Sequence, residues 1–233
     1  MIKVILIIGM GFYLYSLLPT LYYRIKIRKS IENGKHNKSI LLSFDDGPSI
    51  EYTNKLLDLL KRYNIKATFF VVAKSAKESP DIINRILKAG HSLGIHSLEH
   101  KNAMFHGYFY TKNDFKETIS IVNSFKSNVV YYRPPWGQVN LFTLYYVKKY
   151  NLKLVLWSVM VGDWSKYTTV EDIESRLLNW TKSGSVICLH DGRGAMGAPL
   201  RTIQALEEVI PKLLEKGFKF LNIDDFYMEN NKA

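Results

Sequence analysis

The chain has 233 residues, 47% of them hydrophobic, and a formal net charge of +11. That length and apolar content exclude general disorder and suit one α/β domain with a full core. Excess basic charge favours anionic partners. With no zinc-finger spacing, no Lys/Arg-Gly-aromatic signature and no long basic block, nucleic acid is set aside for a membrane surface or an acidic cell-envelope polymer. The single cysteine, Cys188, excludes an intramolecular disulfide and a cysteine-based metal site. Its place in an apolar run makes it a small buried hydrophobe.

Residues 4–23 carry no charge. As a helix they would span about 30 Å, the thickness of a bilayer core. Tyr13, Tyr15, Tyr22 and Tyr23 suit an interface, and Pro19 is expected to kink or end the helix. No small-residue cleavage site follows the apolar run, which disfavours a cleaved signal peptide. A helix apolar on every face would need a larger protein around it to serve as a core element. Residues 1–23 are therefore read as one transmembrane anchor, and 24–38 as a basic, polar linker. Arg24, Lys26, Arg28 and Lys29 flank the anchor and favour a cytosolic catalytic domain.

From residue 39 the pattern alternates. Strands are expected at 39–44, 67–72, 92–95, 129–132, 152–159, 185–189 and 218–222. Helices are expected at 52–63, 80–88, 113–126, 140–150, 169–180 and 199–215, with Asn113, Asn140 and Thr169 as N-caps and Gly90 and Gly217 as C-terminal stops. The stretch 101–112 is aromatic and irregular. Such βα repetition argues a parallel sheet, open or closed into a barrel.

Polar clusters follow the strands: Asp45-Asp46-Gly47, His96 and His100, Arg133-Pro134-Pro135-Trp136-Gly137, Asp163-Trp164 and His190-Asp191-Gly192. In parallel α/β folds the C-terminal strand ends share one face, where active sites form. His96 and His100, four apart, would share the face of a helical turn and could hold one metal with a carboxylate from elsewhere. Adjacent aspartates can divide the work, Asp46 on the metal and Asp45 as general base; the plainer alternative is a turn, since Asp-Asp-Gly-Pro is a good one. His91 is read as a packed, hydrogen-bonded histidine.

At these residues the sequence resembles the polysaccharide deacetylases, the carbohydrate esterases that share a domain with the nodulation chitooligosaccharide deacetylase. The resemblance covers about residues 39–226. Its five motifs are similar to Ser43-Phe44-Asp45-Asp46-Gly47-Pro48, His96-Ser97-Leu98-Glu99-His100, Arg133-Pro134-Pro135-Trp136-Gly137, Trp157 through Trp164, and Leu189-His190-Asp191. It implies a distorted (β/α) barrel over residues 39–228, and one divalent metal, zinc or else cobalt or nickel, held by Asp46, His96 and His100. It further implies Asp45 as the base that activates water, His190 as the acid that protonates the departing amine, and Arg133 as the group that orients Asp45. Pro134, Pro135, Trp136, Trp164 and Leu189 would contact substrate, with the Trp136 backbone N–H helping to hold the oxyanion and Leu189 and Trp164 lining the acetyl pocket.

The fourth motif departs from the family: Met160 stands where an aspartate is usual. That carboxylate pairs with the arginine of the third motif or supports the acid histidine, and Asp163 is expected to take over. The implied substrate is an N-acetylated glycan of the cell envelope, peptidoglycan or a chitin-like oligosaccharide, which requires an outward-facing domain against the charge flanks. A lipid-linked amino sugar at the membrane is the alternative, and a glycan-binding domain without catalysis is a third reading.

Overall fold

The computed structural model describes residues 2–32, 37–125 and 128–231. The residues at 33–36 of the expected linker, and the expected helix end at 126, lie outside them.

The N-terminal segment is helical throughout: α1 (Ile2–Phe12), a π-helical turn (Tyr13–Leu17) and α2 (Leu18–Glu32). Pro19 does not end it. Pro19 has no N–H to give; immediately before it the Leu18 N–H reaches back five residues to the Tyr13 carbonyl, and the helix resumes in a new register. Residues 24–32, expected as linker, are therefore its last turns. The span Ile2–Glu32 is long and apolar enough to cross a membrane.

Among the described residues, eight parallel strands follow: β1 (Ser39–Asp45), β2 (Thr68–Val71), β3 (Ser92–Ile95), β4 (Tyr131–Tyr132), β5 (Lys153–Leu154), β6 (Val159–Met160), β7 (Val186–His190) and β8 (Lys219–Leu221). Seven run in the order β5-β4-β3-β2-β1-β7-β6, and β8 pairs with the start of β1. The single strand expected at 152–159 is thus two strands at opposite edges of the sheet. That division bends the sheet. From Leu154 to Val159 the chain reaches at most about 18 Å. Seven strands laid flat, about 4.8 Å apart, would be about 29 Å wide. The sheet must curl until its edges approach, which makes the fold a half-open barrel.

Alternation within the strands separates two apolar layers, as a parallel sheet buried on both faces requires. Ile40, Leu42, Phe69, Ile187 and Leu189 pack outward against α3 (Thr53–Arg62), α5 (Pro80–Lys88), α6 (Tyr108–Asn123), α7 (Leu141–Lys149), α8 (Val170–Trp180) and α9 (Ala198–Glu215). Leu41, Phe70, Tyr131 and Val186 point inward, where Ile223 and Phe226 of the C-terminal helix α10 (Ile223–Asn231) fill the barrel. Neither α10 nor the short helix α4 (Ala73–Glu78) is expected from the sequence pattern.

Two caps act as expected. Thr169 closes a capping box with Asp172, and Asn140 Oδ1 accepts from the Thr143 N–H at 2.7 Å. Asn113 is no cap: α6 starts earlier, at Tyr108. The fully buried Asn140 also donates from Nδ2 to the carbonyls of Ala103 and His106, tying the aromatic 103–106 turn to α7. Asn140→Ala should remove the cap and strand those carbonyls, at about 2–4 kcal/mol. Thermal unfolding should show a Tm lowered by about 4–16 °C.

Candidate active site

The ladder brings the chemistry together. Asp45 is in register with Phe70 and with His190 on its two neighbouring strands. His96 and Arg133 each continue a ladder one residue past a strand end, with the His96 N–H on the Val71 carbonyl and the Arg133 N–H on the Ile95 carbonyl. The side chains therefore meet at the C-terminal mouth of the sheet, in a cleft of about 720 Å³ lined by Asp45, Asp46, His96, His100, Trp136 and His190 among others.

Asp46 Oδ1 lies 3.0 Å from His100 Nε2 and 3.4 Å from His96 Nε2. Burial alone would raise the Asp46 pKa, but His100 and His96 hold it well below the usual carboxylate range. The His96 Nδ1 is 2.7 Å from the Arg133 carbonyl oxygen. A carbonyl only accepts, so Nδ1 carries a proton, and Nε2, which faces Asp46 and His100, is the nitrogen that the neutral ring offers to a metal. Two imidazole nitrogens and one carboxylate oxygen within 4.8 Å of one another match the donor set of a catalytic zinc site with open positions.

The two histidines do not share a helical turn. Residues 96–100 form a loop with left-handed φ at Ser97 (66°) and His100 (58°). It is pinned by the His100 N–H on Ser97 Oγ and the Leu98 N–H on Asp114. Asp46 (75°) and Trp136 (54°) are left-handed as well. Such concentration of strained backbone is typical of functional sites and persists because the surroundings impose it. Gly47 and Gly192 allow their two loops to touch: a Cβ on Gly47 would meet the Asp191 carboxylate at 2.3 Å, and one on Gly192 the Asp46 carbonyl at 2.5 Å.

Asp45 and His190 are held differently. Asp45 Oδ1 accepts from Arg133 Nη1 at 2.7 Å, and Oδ2 accepts from the Cys188 thiol at 3.3 Å. Burial pushes the Cys188 pKa up, so it remains a thiol and a donor. The Cys188 contact has no signal in the sequence beyond strand alternation, which puts residues 188 and 190 on the same face. Asp45, Cys188 and His190 form a second trio of potential ligands. Asp45 is already committed to Arg133 and the cysteine is protonated, so this trio suits a metal less well.

His190 Nδ1 lies 3.0 Å from Asp163 Oδ1. Asp163 Oδ2 accepts from the His190 N–H and from the Thr202 hydroxyl. Burial would lower the His190 pKa, but the Asp163 charge and hydrogen bond, with the charges of Asp45 and Asp46, push it up to about 9. Asp163 thus supports the histidine and does not replace the carboxylate expected beside Arg133. Arg133 is fully buried, and among the described residues its Nε and Nη2 have no hydrogen-bond partner. Its guanidinium carbon lies 4.0 Å over the Phe70 ring, a contact that eases the buried charge without satisfying those two nitrogens.

Among the expected substrate contacts, Trp136 and Trp164 line the cleft. Leu189 does not: it falls on the outer face of β7 and is fully buried in the main core. Leu156, Trp157 and Met160 provide apolar cleft wall in its place. Pro134 and Pro135 are buried behind the cleft and shape the turn that carries Trp136. His91 is a packed histidine accepting from the Ala67 N–H, with its pKa lowered to about 4 by burial and Lys66.

A half-open parallel barrel with these donors at its mouth defines a hydrolase of the carbohydrate-esterase kind. The chain belongs to the polysaccharide deacetylase family, whose model matches residues 32–155. It is 33% identical to a peptidoglycan-N-acetylglucosamine deacetylase of Bacillus cereus over 86% of this chain and 72% of that one. A crystal structure of a peptidoglycan N-acetylglucosamine deacetylase superposes with a TM-score of 0.76 at 33% identity, covering 83% of this chain and 90% of that one. An acetyl xylan esterase from Clostridium thermocellum, solved with a cobalt ion, superposes with a TM-score of 0.74 at 28% identity, covering 82% and 90%.

His100→Ala should lower bound zinc or cobalt at least tenfold, measured by elemental analysis of the purified chain, while circular dichroism remains that of the folded protein. His91→Ala should leave metal content unchanged.

Proposed function

We propose that the chain is a metal-dependent N-deacetylase of an amino sugar in a cell-envelope glycan, with Asp46, His96 and His100 as the metal ligands. The observation that carries this reading is the differential support of Asp45 and His190. One is a carboxylate held by Arg133. The other is an imidazole held protonated by Asp163. They stand beside the same Asp-His-His donors, so a base and an acid are available together.

A divalent metal at those donors supplies Lewis acidity for the amide carbonyl and for the attacking water. Asp45 takes a proton from the water as its oxygen bonds to the acetyl carbon. The carbon–nitrogen bond then breaks, and His190 gives its proton to the nitrogen. Acetate and the free amine leave. An amide nitrogen is a poor leaving group unless protonated, so an acid with a pKa above neutrality suits the second step. The half-exposed Trp136, its ring 4.4 Å from that of His100, offers a face on which a sugar ring can stack.

The apolar span and the cell-wall activity of the named relatives support membrane attachment with the domain facing outward, while Arg24, Lys26, Arg28 and Lys29 favour the cytosolic side. A reporter enzyme fused after residue 233 decides which side the domain occupies.

Zinc-loaded protein should release acetate from an N-acetylated glycan in a panel of peptidoglycan, chitooligosaccharides and lipid-linked amino sugars. A metal-loaded chain inert on every member would leave a binding domain as the surviving reading. Asp163→Asn should lower kcat on the order of a hundredfold with metal content unchanged. Activity should fall as pH rises and His190 deprotonates. A bound cation opposes the imidazolium charge, so this alkaline limb lies at or below pH about 9. In Asp163→Asn it should move to lower pH, because the main influence that raises the His190 pKa is gone.

A further inference from the structure

The N-terminal helix is part of the catalytic cleft. Its apolar span and its contacts with the domain overlap. Tyr15 and Ser16 donate to the carbonyls of His106 and Met104. Thr20 Oγ1 both donates to the Val139 carbonyl and accepts from the Val139 N–H. Phe12 stacks on Phe105. With that span in a bilayer, these contacts would hold the domain against the membrane instead of apart from it on a linker. Phe105, stacked on Phe12, remains 74% exposed, where lipid can cover it.

One residue past the apolar run, Arg24 donates from Nη2 to the Trp136 carbonyl at 2.7 Å. Arg28, a helical turn further on, lines the same cleft, as does Arg193 from the opposite loop. Among the described residues, neither Arg24 nor Arg193 has a carboxylate in ion-pair range. Arg28 has only Glu32, at 2.8 Å, in a pair exposed enough to be worth little. Three guanidinium groups around a cleft mouth at the membrane–water boundary make a site for an anion, and planar bidentate donors suit phosphate. A neutral chitin-like polymer offers no anion to pair with them.

We propose that Arg24 and Arg28, together with Arg193, form an anion subsite of the cleft, and that the substrate is a membrane-borne N-acetylated amino sugar joined to its lipid through phosphate. This rests on the deacetylase reading and narrows its substrate. The sugar would lie over the Asp-His-His donors, the phosphate between the arginines and the lipid in the bilayer beside the helix.

The test uses the full chain in phosphatidylcholine nanodiscs, with polyprenyl diphosphate N-acetylglucosamine, UDP-N-acetylglucosamine and tetra-N-acetylchitotetraose as probes. Acetate release gives kcat/KM for each, and tryptophan fluorescence gives Kd. The lipid-linked sugar should be preferred over the chitotetraose at least tenfold. In Arg24→Gln/Arg28→Gln that ratio should fall at least fivefold and the Kd for the lipid-linked sugar should rise at least tenfold. Arg24→Lys/Arg28→Lys, which keeps both charges but loses the planar fork, should give a Kd between those of the parent and the glutamine variant. A parent that prefers chitotetraose, or a ratio unchanged in the glutamine variant, overturns the subsite and leaves the deacetylase reading standing. Equal turnover of the soluble nucleotide sugar overturns the membrane-borne substrate. Arginine-dependent binding with no acetate from any probe upholds the anion subsite while the deacetylase reading falls.

Discussion

A buried charge organises this site. Arg133 has no exposed surface, yet it ties three strands' worth of chemistry together. Its Nη1 reaches both Asp45 and Ser43 on β1, and Ser43 in turn donates to the Ile187 carbonyl on β7. Its own carbonyl selects the tautomer of His96. An ion pair of this kind is expensive to desolvate and gives stability only when well bonded. Removing one partner leaves a buried charge, at about 3–5 kcal/mol. The pair is a positioning device, since the same guanidinium aims the carboxylate that faces the cleft and the same backbone aims a histidine beside Asp46.

The device is incomplete in this chain. Among the described residues, two buried nitrogens of Arg133 have no partner, and Met160, where a carboxylate is expected, lies at the cleft wall. The aromatic ring of Phe70 and the thiol of Cys188 surround the Arg133–Asp45 pair with soft, polarisable groups. His190, by contrast, has full support: Asp163 meets its ring and its backbone, and Thr202 meets Asp163. The proposed acid, His190, and the proposed base, Asp45, are thus hydrogen-bonded by separate networks and coupled only through charge.

Much of the site could be read from residue order. Asp45, Asp46, His96, His100, Arg133 and His190 all follow apolar runs, and parallel strands must deliver such residues to one face. Their meeting within a few ångströms could not be read that way. The loop at 96–100 resembles a helical spacing but is held by left-handed residues, and its anchor, Asp114, is a buried carboxylate from a helix sixteen residues away. Leu189 sits inside a motif yet faces the core, because motif spelling says nothing about which side of a strand a residue takes. Strand parity would have corrected that reading.

The N-terminal segment divides the two sources of information most clearly. Its apolarity, its tyrosines and its basic flank are local properties, so sequence alone shows a helix fit to enter a bilayer. The hydrogen bonds from Ser16 and Thr20 and the arrival of Arg24 at the Trp136 carbonyl are tertiary facts. They depend on donors and acceptors more than eighty residues apart. Residue types, their periodicity and their order determined the βα fold and the inventory of catalytic groups. Which groups share a face, which nitrogen carries a proton and whether an anchor is also a cleft wall were decided only when the sheet curled, because those properties arise from distance, burial and charge in three dimensions.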